Sequence, residues 1–271
     1  MTDLGFPLSR SLPPLLSPEG WSWHYLSNNQ RFWIGEDLDG LRWLVKFRGG
    51  FYAVRERGFS IIAQALGISC QSSTFLKVPQ NCLAFQQNHP RTDYDDAYQL
   101  ATWFFDEHEP SPAQTCIDCP LETLNRLWES RPYDVGILHT SSVAHAIDIA
   151  RGEMLGMLCE MHEPPGRLFT RDHRFVQIDN ELMFSNCAGA KLCDSPWVMD
   201  DGNIRQSGLD EAIHLCKQVL SLPDEIFDEA IRLPPGYCPR MCWSVQNEIY
   251  NIQPRARKFL KMTASLRRRR L

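Results

Sequence analysis

The side chains most able to do chemistry are spread thinly along this chain, and the most closely spaced are thiols. Cys116-Ile-Asp-Cys119 and Cys238-Pro-Arg-Met-Cys242 each bring two cysteines within reach of one tetrahedral ion. The second spacing is loose and no histidine stands beside either pair, so a structural zinc is not expected and buried apolar cysteine is the better reading. His139, His145, Glu153 and Glu163 lie close in sequence, but without H-E-x-x-H or any comparable spacing that would align them on a metal. A Gly-x-Ser-x-Gly nucleophile elbow and a Walker-type phosphate loop are absent. Among the charged residues, Lys46 follows an apolar run, Glu56 comes soon after a Gly49-Gly50 break, and Asp179 closes a second short apolar run.

The elements around these residues are legible from periodicity. Trp21 to Phe47 reads as short strands, Trp-Ser-Trp-His-Tyr, Arg31-Phe-Trp-Ile and Leu41 to Phe47, with a hairpin turn at Glu36-Asp-Leu-Asp-Gly40. In the last of these, a period of two puts Trp43, Val45 and Phe47 on one face and Arg42, Leu44 and Lys46 on the other. Phe59, Ile62, Ala63 and Leu66 recur at helical spacing, which predicts a helix over Arg55 to Leu66 with Glu56 in its first turn and Gly67 as its stop. Strands are expected at Ser72 to Val78 and Cys82 to Gln86. Helices are expected at Tyr94 to Glu107, Leu121 to Glu129, Ser141 to Met161, Leu209 to Ser221, Asp224 to Ile231 and Met241 to Met262. One small β element interrupts the helices, with strands at Arg167 to Thr170, Arg174 to Ile178 and Leu182 to Phe184.

A lysine on a strand, a glutamate on the next helix and a later hairpin ending in Ile-Asp follow the order of parts in the kinase superfamily. Trp43-Leu-Val-Lys46, with Glu56 and then Leu66-Gly67-Ile68, resembles the nucleotide-binding lobe of HipA-like kinases, where a lysine strand leads into an "NE…LA…LG" helix. Arg55 stands where that family usually has Asn. Phe175-Val-Gln-Ile-Asp-Asn-Glu-Leu-Met-Phe184 is similar to the family's "IDxGxxF" element, with Asp179 in the place of its magnesium-holding aspartate. Leu222-Pro-Asp-Glu-Ile-Phe, then Ile231-Arg-Leu-Pro234 and a long helix, are similar to the group's C-terminal helices.

The resemblance implies an α+β, two-lobed protein-kinase-like fold with a small antiparallel-sheet N-lobe and a mainly helical C-lobe. It implies ATP and Mg2+ as cofactors, with Lys46 on the phosphates, Glu56 holding Lys46 by an ion pair, and Asp179 on the metal. The family's N-x-D-R-x-x-x-N-L loop falls on Glu160-Met-His-Glu-Pro-Pro-Gly-Arg-Leu168, which places His162 at the catalytic aspartate and Arg167 at the metal-binding asparagine. A register shift puts Glu160 at the aspartate position instead. His162 titrates close enough to neutrality to serve as a general base, and Arg167, unable to bind magnesium, offers phosphate oxygens a bidentate fork. The resemblance thus implies a pseudokinase or weak serine/threonine protein kinase in a bacterial regulatory or toxin-like role.

Composition bounds these readings. With 271 residues and a hydrophobic fraction of 43%, the chain can bury one large core or two lobes. A net charge of -5 argues against whole-surface binding of nucleic acid or anionic membrane. Arg255, Arg257, Lys258, Lys261 and the run Arg267, Arg268, Arg269, Arg270 are the local exception. They offer a surface to nucleic acid or an acidic partner, and with it an alternative function as a non-catalytic interaction module. Tyr250 and Phe259, the aromatics nearby, are expected in the core. Met1 to Gly20 lacks the pattern of a signal peptide, and no apolar run reaches the roughly 18 to 20 residues of a membrane span. A soluble cytoplasmic protein with reduced thiols and no membrane partner is therefore expected. The expected organisation is an extension over 1–20, an N-lobe over 21–105, a C-lobe over 106–262 and a basic tail over 263–271, with the inter-lobe connection beginning within 94–106.

Overall fold

The computed structural model describes residues 15–25, 32–46, 51–77, 98–103, 108–109, 143–161, 166–170, 175–178, 183–184, 192, 198–200, 203–204, 206–237 and 242–268. It is a mixed α/β protein of small sheets and several helices. The strands are β1 (Leu15–Leu16), β2 (Ser22–Tyr25), β3 (Phe32–Glu36), β4 (Arg42–Lys46), β5 (Ser73–Lys77), β6 (Tyr98–Trp103), β7 (His108–Glu109), β8 (Gly166–Thr170), β9 (Phe175–Ile178), β10 (Met199–Asp200) and β11 (Asn203–Ile204). The helices are α1 (Phe51–Ala65), α2 (Val143–Leu158), α3 (Gln206–Ser221), α4 (Asp224–Ile231), α5 (Cys242–Tyr250) and α6 (Ile252–Arg268). Among the described residues no helix is long and apolar enough to cross a membrane.

The main sheet has six strands in the order β1-β5-β6-β4-β3-β2. All its pairings are antiparallel except β1 with β5, which is parallel and draws Leu15–Leu16 into the sheet. The β3–β4 hairpin is set by Asp37, whose Oδ1 accepts from the backbone N–H of Asp39 at 3.0 Å and of Leu41 at 2.9 Å, while Oδ2 accepts from Trp43 Nε1 at 2.9 Å. Gly40 supplies the left-handed backbone that the turn requires, at φ 75. A small hairpin of β8 and β9 joins β7 in a second sheet.

Four expected elements differ. Tyr98–Trp103 is strand β6, not part of a helix, because it pairs on both sides, with β4 and with β5; a local pattern yields to ladder bonds made at long range. Helix α1 begins at Phe51, four residues earlier than its apolar spacing predicted, so Glu56 lies in its second turn rather than its first. The long C-terminal helix is two helices broken at Asn251. Met183 and Phe184 form a turn rather than a strand, with Phe184 at φ 55. The expected helix over 121–129 and the strand over 82–86 lie outside the described residues.

One core joins the sheet's helix to the others. Phe59, Ile62 and Ala63 of α1 and Phe75 of β5 are buried in the same cluster as Met154 and Leu155 of α2, Leu215 of α3, Phe227 of α4 and Ile249 of α5. Gly58 permits a close approach of α1 to its neighbours: a Cβ there would stand 2.7 Å from Ile249 Cδ1 and 3.2 Å from the carbonyl oxygen of Ala230. Helices α1 and α2 end alike. Gly67 (φ 69) and Glu160 (φ 51) take the left-handed position after the helix. Ile68 N donates to Ala63 O, and Met161 N to Gly156 O, each at 2.9 Å.

Candidate functional site: a buried lysine–glutamate pair

Strand β4 lies inside the sheet, its Lys46 opposite Phe32 of β3 and Leu100 of β6. Its alternation buries Trp43 and Val45, as the sequence suggested, but Lys46 is buried as well. The ordinary explanation for a strand lysine, an ammonium reaching into water, therefore does not hold. Lys46 is 4% exposed and Glu56 of α1 is 2% exposed. Lys46 Nζ donates to Glu56 Oε1 at 2.9 Å and to Oε2 at 3.0 Å, so both carboxylate oxygens converge on one ammonium. Because Glu56 sits in the second turn of α1, attraction to the helix N-terminus does not account for its presence; its partner on β4 does.

Neighbouring charges hold the helix that carries Glu56. Arg57, also buried, donates through Nη1 to the carbonyls of Glu229 at 2.8 Å and Arg232 at 3.2 Å. Its Nη2 pairs with the Glu229 carboxylate, and its guanidinium lies 5.4 Å from the centre of the Phe75 ring. Burial lowers the Arg57 pKa, and the Glu229 carboxylate opposes that shift. Since Glu229 and Arg232 close α4, a single guanidinium satisfies carbonyls at the end of one helix and fixes α1 against it. Arg55, two residues before Arg57, is buried with its guanidinium 5.9 Å from the Tyr52 ring centre. Nothing in the Arg-Glu-Arg triplet signalled any of this, since alternating charges at the start of a helix read as a solvated face.

The hairpin expected to carry the metal ligand is tied to the segment just after α1. Gln177 of β9 donates its N–H to Ser69 O at 2.9 Å and accepts from Gln71 N at 2.8 Å, a parallel bridge centred on Cys70. Its side chain is 1% exposed and fills the space above Gly152 of α2, where any Cβ would overlap Gln177 Oε1. Downstream, Phe184 is buried and its N–H donates to Cys159 O at 2.7 Å, just past the end of α2. Asp179 lies between these two anchors and outside the described residues, as does His162. Arg167 takes a place in β8, in register with Gln177.

Glu160 is ion-paired at a helix end. It closes the C-terminal end of α2, and its Oε1 is 2.9 Å from Arg255 Nη2 of α6. Arg255 also pairs with buried Glu248 and donates through Nη1 to Leu158 O at 3.0 Å, so it satisfies an α2 carbonyl that the helix leaves open. Burial raises the Glu160 pKa above the ordinary glutamate value; Arg255 opposes this and Glu248 adds to it.

The basic residues divide. Arg255 is engaged in that clamp, whereas Arg257, Lys258 and Lys261 are exposed. Phe259 is buried as expected, but Tyr250 is 48% exposed, its hydroxyl donating to Asp228 Oδ1 at 2.8 Å. That hydrogen bond is the first cause of the raised Tyr250 pKa. Arg267 and Arg268 fall in the last turn of α6, and Arg269 and Arg270 lie outside the described residues.

Cys70, Cys159, Cys216 and Cys242 are buried thiols outside any disulfide, and burial raises the Cys216 pKa to about 12 and that of Cys159 further. Cys116, Cys119 and Cys238 lie outside the described residues. Among the described residues no three His, Cys, Asp or Glu side chains converge where a metal ion could be held. No protein-family model matches this chain, and no curated protein matches it.

Proposed function

We propose that this protein is a kinase-like nucleotide-binding protein of the HipA-like type, which holds ATP with Mg2+ at Lys46 and whose reaction loop has diverged toward a pseudokinase or weak serine/threonine kinase. The observation that carries this reading is the Lys46–Glu56 pair, 2.9 and 3.0 Å between an internal strand and a buried helix. Two desolvated charges are a poor way to stabilise a core, since apolar residues of similar volume usually do as well or better. They are a good way to hold an ammonium in one place, which is what phosphate binding asks of a kinase lysine.

The residues present fit the nucleotide in kind. Glu56 fixes the lysine from one side, and an ammonium offers donors but no acceptor, matching phosphate oxygens and not a cation. Asp179 would hold the metal; the strand before it and the turn after it are anchored by Gln177 and Phe184. When bound, the magnesium nucleotide supplies a transferable phosphoryl group with part of its charge already neutralised.

The loop residues favour a degenerate form. Glu160 is committed to Arg255 at the end of α2, so we assign it to holding that helix end rather than to accepting a substrate proton. Any general base then falls to His162, with Arg167 as a phosphate partner in place of a metal ligand. A cytoplasmic site of action belongs to the same reading, because it draws on the cell's ATP.

Thermal unfolding with and without ATP and Mg2+ tests the proposal. At about a hundredfold excess over the dissociation constant, nucleotide should stabilise the protein by about 2.7 kcal/mol, and only with magnesium. Asp179→Asn should remove the magnesium dependence. The double substitution Lys46→Met/Glu56→Leu should keep the fold and remove the shift altogether. A wild-type protein whose melting ignores MgATP would overturn the assignment.

A further inference from the structure

Helix α6 has one face committed and one face spare. Ile252, Ala256, Phe259 and Thr263 recur at helical spacing and are buried, while Arg257, Lys258 and Lys261 are exposed. Arginines 267–270 follow in the last turn and immediately after it, and no Asp or Glu occurs between Asn251 and Leu271. In a chain of net charge -5, this gathers positive charge along one edge of an otherwise acidic molecule.

We propose that the exposed Arg257, Lys258 and Lys261 of α6, with the sequence run of arginines 267–270 that follows them, dock on the phosphate backbone of nucleic acid without reading base sequence. The proposal stands independently of the nucleotide site. From Arg257 to Arg268 the helix rises about 16 Å, the length of about five phosphates along one strand. A lipid surface is the poorer partner, because the apolar stripe of α6 is already buried in protein and leaves nothing to enter the bilayer. An acidic protein is also poorer, since such partners seat large apolar or aromatic anchors and, among the described residues 257–264, the one exposed residue besides these cations is Ala264.

The acidic remainder would repel a polyanion, which orients the contact onto this face and makes it strongly salt-dependent. Base stacking has no platform on α6, whose one aromatic, Phe259, is buried.

Fluorescence anisotropy of a labelled mixed-sequence DNA duplex, titrated with the full chain over a series of salt concentrations, tests this. The expected result is binding at low salt that weakens steeply as salt rises and is the same for a shuffled duplex. Arg257→Gln/Lys258→Gln/Lys261→Gln changes only exposed side chains, so its melting temperature should stay near that of the wild type. It should bind at least about tenfold more weakly at low salt and flatten the log–log salt slope by about 3. A second variant with glutamine at 267–270 should lose affinity likewise. The proposal is overturned by absence of binding at low salt, by affinity and slope unchanged in both variants, or by equally tight binding to phosphatidylserine vesicles or polyglutamate.

Discussion

At the scale of single residues, the lysine and glutamate at the centre of this site are informative because they are expensive. Removing one partner leaves the other charged and buried, so Lys46→Ala should lower stability by about 3–5 kcal/mol, measured by urea unfolding. Lys46→Met/Glu56→Leu should restore most of that loss, because an apolar pair carries no desolvation cost. Glu160 gives a residue-scale prediction of the opposite sign. Its native pKa is raised, mainly by burial, so the folded protein binds its proton more tightly than the unfolded chain does. Its contribution is therefore most favourable below the unfolded value, about 4.3, and is lost as pH rises through the higher native value. Stability measured against pH should fall across that window by more in the wild type than in Glu160→Gln, and the difference should be flat above it. Equal profiles would mean that Arg255 fully offsets the burial.

At the scale of elements, periodicity was a good guide wherever one face of a segment is buried and a poor one wherever pairing at a distance decides. Helix α4 begins and ends where expected, since Pro223 precedes it and Asp224 and Glu225 occupy its first turn. Gly67 stops α1 as expected. Tyr98–Trp103 was misread because its partners, β4 and β5, are far away in sequence. Glu160 gave no sign of ending α2, because its left-handed conformation is one that glutamate rarely adopts.

Of the candidate site, the Lys46–Glu56 pair was implied by the kinase-like resemblance, whereas the groups that hold it were not. Arg57, Gln177 and Gly152 act through contacts that join distant elements. Gly152 supplies the element-scale prediction: Gly152→Ala should cost about 1–3 kcal/mol by forcing a Cβ against the buried Gln177 side chain. Gly152→Ala/Gln177→Ala should recover part of it, as read from denaturant midpoints. A Gly152→Ala protein as stable as the wild type would show that Gln177 has room to move.

At the scale of the whole molecule, one continuous core runs from α1 through α2 to α6, so the helix bearing Glu56 is braced against helices from the far half of the chain. Arg57 at the end of α4 and Gln177 at the loop after α1 are among the polar ties across that core. Such bracing makes a fixed ammonium possible, and phosphate binding is the use we propose for it. Calorimetric titration of MgATP into the wild type and into Lys46→Met/Glu56→Leu, both first shown to unfold cooperatively, asks this directly. The account predicts one saturable site in the wild type and none in the double variant. Equal binding by the two proteins, or none by the wild type, would contradict it.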